Sequence, residues 1–419
     1  MGNIIYNGVP WYDQNNDPVN AEAGCLIKVD DKFYLFGEYK TDDVNHFVGF
    51  SKYSSTDLSN WYFDGMALST QKSGLLGPNR IGERVKVLQA PNHHFVMLMH
   101  TDDLKYNDPY IGIATTDNID KPFKFVGPLQ FNGKPIKLWD MGSFIDDDGT
   151  AYLLTHEGNI FKLSKDYLYV EEEVAHHIAV GGESPAMFRS GDRYFIMFSN
   201  KTSWERNDNY YLTATNIRGP WVKKGLFCPQ GTLTYNSQCS FVYQLQTEKG
   251  SVPMYMGDRW SFPKQKSSAT QVWLPITVHG DEMEIPEYWD AWDWEKDAPH
   301  ILSKDESKLS FRSNVPHESH SFRFKGTRVM LYGHTDIHGG YAKIKLTDLH
   351  GKIIQDTVID FYSLVTNDGL RYVSPILPQD DYQLSITVMD ENGVWFDKAG
   401  DRFGSDDYYV NLTGYSVTK

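Results

Sequence analysis

Apolar and aromatic residues come along this chain in runs of about five, each entered through a short polar or glycine-bearing turn. Five such turn-and-strand pairs recur: VDDKFYLFGEYK (29–40), APNHHFVMLMHTD (90–102), DDDGTAYLLTHEG (146–158), SGDRYFIMFSN (190–200) and, more loosely, EKGSVPMYMGDRW (248–260). A further strand follows each, in HFVGFSKYSS, YIGIATTDN, GNIFKLSKD, NYYLTATN and TQVWLPITVHG. Another precedes each turn: AEAGCLIKV, GERVKVLQA, WDMGSFIDD, GESPAMFRS and SQCSFVYQL. Several units then close on a Trp or Phe edge, as in DLSNWYFDG, IDKPFKFVGP and IRGPWVKKG. Helical periodicity is nearly absent. Four short strands per unit, and five units between residues 20 and 295, predict a five-bladed β-propeller. A β-sandwich with many hairpins would use the same strands, but it does not explain so regular a recurrence.

Beyond YWDAWDWEKDAPH the rhythm changes. KLSFRS, HSFRFKGTRVMLYGHT, YAKIKLTDLHGKII, LRYVSPILP, YQLSITVMDE and DYYVNLTGYSVT alternate apolar and polar residues at period two, between Gly, Asn and Asp turns. They predict a C-terminal β-sandwich, similar to the jelly-roll modules appended to carbohydrate enzymes. The chain is thus read as all-β, with a propeller over 1–297 and a sandwich over 298–419. The second domain shows no cluster of Trp residues suited to binding sugar. Its expected role is bracing, with a loop reaching the mouth of the first domain.

Composition narrows the partners. Among 419 residues, 40 Lys and Arg face 55 Asp and Glu, a net charge of -15. That disfavours nucleic acid and anionic membranes and favours a neutral or cationic ligand. Aromatics make up 14% of the chain, which suits stacking on pyranose faces and suits an all-β core equally well. No apolar run reaches membrane length. The opening MGNIIYNGVPWYDQ has neither a basic region nor an apolar segment, so no signal peptide is expected. A cytoplasmic protein and a secreted one without its leader both fit. Cys25, Cys228 and Cys239 form no disulfide framework and have no metal spacing. His93-His94 and His176-His177 lack zinc partners and read as surface pairs.

In a propeller the first strand of each blade lines the central channel, and the residues that start it face one mouth. Those residues are Glu22, Glu83 with Arg84, Asp140, Glu183 and Gln238. The four acids precede Phe33, Phe95, Tyr152 and Tyr194 of the following strands by 11 or 12 residues. Equivalent placement turns separate strand ends into one ring of polar groups on an axis. Like charges so close raise one another's pKa, and such costs gather at functional sites. Paired carboxylates suit glycoside hydrolysis. One stays protonated and gives its proton to the departing oxygen, while another group orients water or steadies the oxocarbenium-like transition state. No nucleophile elbow, phosphate loop or His-rich metal motif competes.

The segments NAEAG…KFYLFGE, GERVKV, WDMGSFIDDDGTAYLL, GESPAMF, TYNSQCSFV and YMGDRW…VWLPI resemble glycoside hydrolase family 43 in order and spacing, over about residues 8–295. Within the family they are most similar to the exo-β-1,3-galactanase branch. By that resemblance Glu183 is the general acid, and Asp140 holds it and tunes its pKa. Glu83 and Arg84 match the pair that grips the terminal sugar, Glu38 a sugar-binding acid, and Gln238 the glutamine of that branch. Trp204 matches an aromatic loop, and Tyr106 and Trp139 are further candidates for the sugar platform. Asp258-Arg259-Trp260 reads as a salt-bridged structural corner.

The base has more than one candidate. Most of the family places an Asp on the first strand of blade one; the galactanase branch lacks it and leaves water activation to the glutamine. Here NAEAGC stands where NAHGGG is usual, so Glu22 replaces a His. Either Gln238 positions water with help from Glu83, or Glu22 supplies a carboxylate base. The resemblance implies an exo-acting, inverting release of terminal galactose from a β-1,3-linked oligo- or polysaccharide. Arabinofuranosidase, galactofuranosidase and a non-catalytic sugar-binding propeller are the alternatives. It implies no cofactor. A calcium on the channel axis occurs in some members, whereas DDDG at 146–149 reads as a tight turn, not a calcium loop. The oligomeric state is left open.

Overall fold

Short turns fold neighbouring apolar runs back on one another, and the hairpins assemble into antiparallel sheets. The computed structural model describes residues 3–302 and 307–419; the first two residues of the range read as 1–297 lie outside it. Among the described residues helical structure is confined to single turns at His156–Gly158, Leu233–Asn236 and Gln265–Ser268. The protein is all-β.

Five main sheets make up most of the first region. The first holds Glu22–Val29, Lys32–Glu38, Gly49–Ser55 and Tyr62–Ser69 in sequence order. The second holds Arg80–Gln89, Phe95–Asp103, Tyr110–Thr116 and Lys124–Pro128. The fourth holds Gly182–Ser190, Arg193–Asn200, Tyr210–Ala214 and Val222–Leu226. The other two depart from the expected four strands. The third, built on Met141–Ile145, Ala151–Thr155, Asn159–Leu163 and Val170–Ala175, gains the small hairpin Gln130–Phe131 and Lys134–Pro135 on its outer edge. The fifth keeps three strands, Gln238–Thr247, Gly250–Arg259 and Thr270–Pro275. Ile276 N–H still donates to the Pro253 carbonyl (2.8 Å), but Pro253 has no amide to return the bond, and the chain leaves into a separate hairpin of Thr277–His279 and Glu282–Glu284.

The first strands of the five sheets lie against one another in chain order, and the fifth lies against the first. Five apolar cores sit between neighbouring sheets. Phe36 and Phe50 meet Val85 and Met97; Val96 and Leu98 meet Leu153 and Phe161; Leu154 and Ile160 meet Ile196 and Leu212. Phe195 and Met197 meet Tyr255 and Val272, and Met254 and Trp273 meet Leu35 and Tyr53. Ile4–Tyr6 pairs with Ala291–Asp293, tying the chain's beginning to the end of this region.

The second region has two four-stranded sheets. One runs Ser307–Ser313, Val410–Thr418, Arg328–Thr335, Asn367–Val373, and the other Ser319–Gly326, Asp380–Val388, Tyr341–Asp348, Ile353–Asp360. Val329, Leu331, Ile344, Leu346, Leu384 and Ile386 of both sheets share one core. HSFRFKGTRVMLYGHT, read as one strand, is two strands in different sheets. The break falls at Gly326, where an added Cβ would lie 2.4 Å from the Thr418 carbonyl oxygen.

Candidate active site

Four of the five first strands begin with the same break in the ladder. Register slips between Glu22 and Cys25, Glu83 and Lys86, Glu183 and Ala186, and Cys239 and Phe241. After three of the acids the next residue is left-handed: Ala23 (φ 50°), Arg84 (φ 56°) and Ser184 (φ 58°). A bulge re-aims side chains and frees an amide from the ladder. Those amides find polar partners on neighbouring sheets. Ala23 N–H donates to Asp258 Oδ1 (2.9 Å), Arg84 N–H to Glu38 Oε1 (2.8 Å), Cys239 N–H to Asn209 Oδ1 (2.8 Å) and Ser184 N–H to Asp140 Oδ2. The backbone that aims the acids is thus locked from sheet to sheet.

Nine of the ten residues singled out in the sequence line one cavity of about 580 Å³: Glu38, Glu83, Arg84, Tyr106, Trp139, Asp140, Glu183, Trp204 and Gln238. Glu22 is separated from them. It is 1% exposed, lies outside the cavity wall, and leaves Oε2 without a hydrogen-bond partner. Burial pushes its carboxyl pKa well up, and the charges of Asp258 and Glu38 add to this. Burial thus disfavours the charged form that a base needs, and Glu22 does not line the cavity.

Around Glu183 the bonding is dense. Arg84 Nε meets Asp140 Oδ1 at 2.6 Å, Nη1 donates to Ser184 Oγ (2.6 Å), and Nη2 donates to Gln238 Oε1 (2.8 Å). Trp260 Nε1 donates to the same Oε1 (2.9 Å). Gln238 Nε2 donates to Ser199 Oγ (2.8 Å) and Glu183 Oε1 (3.0 Å). Arginine and indole can only donate, so they fix which end of the amide is oxygen. An imidic-acid form would turn a hydroxyl proton toward two donors. Gln238 is therefore held as an ordinary amide. Burial, then the Asp140 charge, raises the Glu183 pKa to about 8, with Arg84 opposing.

Glu83 is the opposite case. Its Oε1 accepts from Tyr106 OH (2.8 Å) and Asn45 Nδ2 (3.0 Å), with Lys40 Nζ at 3.8 Å; its Oε2 is 3.5 Å from His100 Nδ1. Burial disfavours its charge, but His100 and Lys40 outweigh burial and hold its pKa well below the usual carboxylate range. His100 Nε2 is 3.2 Å from Asp102 Oδ2. Burial lowers the His100 pKa, while the two flanking acids more than offset this and bring it to about 9. Glu38 pairs with Lys40 at 2.5 Å. Of the carboxyls that line the cavity, Glu183 is thus biased toward its protonated form and Glu83 toward its ionised form.

Aromatic rings form the walls. Trp204 lies parallel to Phe262 (centroids 5.2 Å, 4°) and edge-on to Trp260 (5.4 Å). Trp139 stacks on His156 (4.1 Å). Asn45, His100, Asp102, Trp260, Phe262 and Lys398 also line the cavity, and sequence reasoning did not assign them to it. Some were within reach, because His100 faces Glu83 across the ladder just as Glu38 faces Glu22 and Asp258 faces Gln238. The expected salt-bridged corner is corrected. Arg259 donates to the carbonyls of Asn236 (3.1 Å) and Tyr235 (3.0 Å), and among the described residues neither Asp258 nor Arg259 forms an ion pair. The four paired histidines are exposed, and no cluster of three or more metal-ligating side chains occurs among the described residues.

Residues 18–226 match the family model for glycosyl hydrolases family 43. A putative exo-β-1,3-galactanase from Bifidobacterium bifidum s17 is 32% identical over 67% of this chain and 95% of its own, with a TM-score of 0.61. An exo-β-1,3-galactanase from Phanerochaete chrysosporium, solved with galactose, shares the fold over 99% of both chains at 22% identity (TM-score 0.72). One from Clostridium thermocellum shares it over 86% of this chain and 77% of its own, at 23% identity (TM-score 0.65). No match was found among curated proteins. With the 32% relative covered almost end to end, this chain belongs to glycosyl hydrolase family 43.

Proposed function

We propose that the chain is an inverting exo-glycoside hydrolase that releases terminal galactose from β-1,3-linked galactan. In this reading the five sheets are the blades of a propeller over 1–297, and 298–419 is an accessory β-sandwich. The order of first strands and the five inter-sheet cores support the propeller. The core shared by two sheets supports the sandwich. The galactan substrate rests on the names of the similar structures.

The observation that carries the chemistry is Glu183, half-buried in the cavity wall near Asp140 with its pKa raised to about 8. At neutral pH it holds the proton that the departing sugar oxygen needs. Glu83, ionised, and Glu38 and Arg84 hold the terminal sugar. Gln238 steers water by its fixed amide, and Glu83 is the ionised carboxylate available to assist it. Trp204, Tyr106 and Trp139 supply stacking surface. Water arriving opposite the leaving group inverts the anomeric carbon.

The test is a β-1,3-galactan digest beside a panel of aryl glycosides, with the first product followed by proton NMR. Galactose is expected, appearing first as the α-anomer. Release from an arabinofuranoside or galactofuranoside alone would replace the substrate, and release from none would make the protein a sugar-binding propeller.

A further inference from the structure

The second region sends a hairpin to the cavity. Val394–Phe396 pairs with Arg402–Gly404, and Lys398 in the turn between them lines the same cavity as Glu183. Its Nζ lies 5.5 Å from the centroid of the Tyr106 ring, whose hydroxyl donates to Glu83. The turn is preset. Asp397 Oδ1 accepts from the amides of Ala399 (2.8 Å) and Asp401 (2.9 Å). The base is anchored as well: Trp395 is buried, stacks on Phe403 at 6.0 Å, and meets Tyr362 edge-on. Strand alternation then turns Phe396 outward, where it is 64% exposed.

Two features separate this arm from a brace. The cations deeper in the site are paired, Arg84 with Asp140 and Lys40 with Glu38. Among the described residues Lys398 forms no ion pair with a carboxylate, which leaves its three donors available at the cavity it lines. Phe396, two residues away on the same hairpin, presents an exposed ring outside the residues that line the cavity. An outward ring and an ammonium together fit a pyranose, which offers an apolar face and a rim of hydroxyls.

We propose that the hairpin Val394–Gly404 is an acceptor-side arm: Phe396 and Lys398 bind the neutral sugar residues that remain attached beyond the scissile bond. This rests on the cavity being the galactosidase site. The occupant is the leaving-group portion of the polysaccharide, so the arm discriminates by chain length and contributes less to a substrate whose leaving group is a single aryl ring.

The test compares kcat/KM for a β-1,3-galactan oligosaccharide with kcat/KM for an aryl β-galactoside, in the wild type, Phe396→Ala and Lys398→Ala. The oligosaccharide-to-aryl ratio is expected to fall by about three- to tenfold in at least one variant, the scale of one lost stacking or polar contact. An unchanged ratio in both variants overturns the arm. If the wild type cleaves neither substrate, the galactosidase reading fails instead, and the two failures are told apart in one experiment. Both side chains lie on the surface, and an unchanged melting temperature confirms that the variants fold.

Discussion

Glu183 and Glu83 share a cavity and end in opposite states because their neighbours differ. Glu183 is desolvated and faces the Asp140 charge; Glu83 faces His100 and Lys40. Raised to about 8, the Glu183 pKa makes activity fall as pH rises through that value, since the donor is then ionised. Replacing Asp140 by Asn removes a nearby negative charge, which makes ionisation of Glu183 easier. The alkaline limb of kcat/KM is therefore expected at lower pH in Asp140→Asn, and a pH–rate profile checks it; an unmoved limb would detach Asp140 from the acid. Much of this was legible beforehand, because the acids recur at one offset from the next aromatic strand. Glu22 shares the offset and still fails to reach the cavity. The offset locates a strand end, and the left-handed bulge that follows is shared with Glu83 and Glu183; neither tells which of these ends opens into the cavity.

At the level of strands, the site depends on sheets approaching closely at their inner ends. A Cβ at Gly142 would lie 2.0 Å from the Pro185 carbonyl oxygen, across from the third sheet to the fourth. Gly142→Ala must push these strands apart. A loss of about 1–3 kcal/mol is expected, the scale of overpacking, read as a lower melting temperature. Because Pro185 follows Glu183 by two residues, kcat should fall as well. Strand runs themselves were plain from their aromatic content. What hid was their partnering. Nothing in TQVWLPITVHG says that Pro275 ends one sheet and Thr277 starts another hairpin. Nor could the added edge at Gln130–Phe131 be read, since its single parallel bridge to Val170 depends on tertiary position.

Across the whole molecule, the second region is tied to the walls of the cavity by polar contacts. Tyr362 OH donates to Glu205 Oε1 (2.5 Å), next to Trp204, and Tyr341 OH donates to the carbonyls of Ser261 (3.1 Å) and Phe262 (3.2 Å). Trp204 and Phe262 form the stacked wall, so the second region is bonded to Phe262 of that wall and to Glu205 beside it. Tyr362→Phe leaves Glu205 Oε1, 93% of whose residue is buried, without that donor. A loss of about 1–3 kcal/mol is expected, measured by denaturant unfolding. These contacts join residues 79, 80 and 157 positions apart, and no local pattern in the sequence signals them.

The central claim is that Glu183 delivers the proton to the leaving oxygen, and leaving-group dependence tests it most directly. Rates of the wild type and Glu183→Ala would be compared over aryl β-galactosides of increasing leaving-group acidity and on β-1,3-galactobiose. A loss of about 10²–10⁴-fold is expected for the disaccharide, shrinking toward none for the most acidic phenol, which departs without a proton. A loss of equal size on every substrate would contradict the assignment and leave Glu183 as a binding residue.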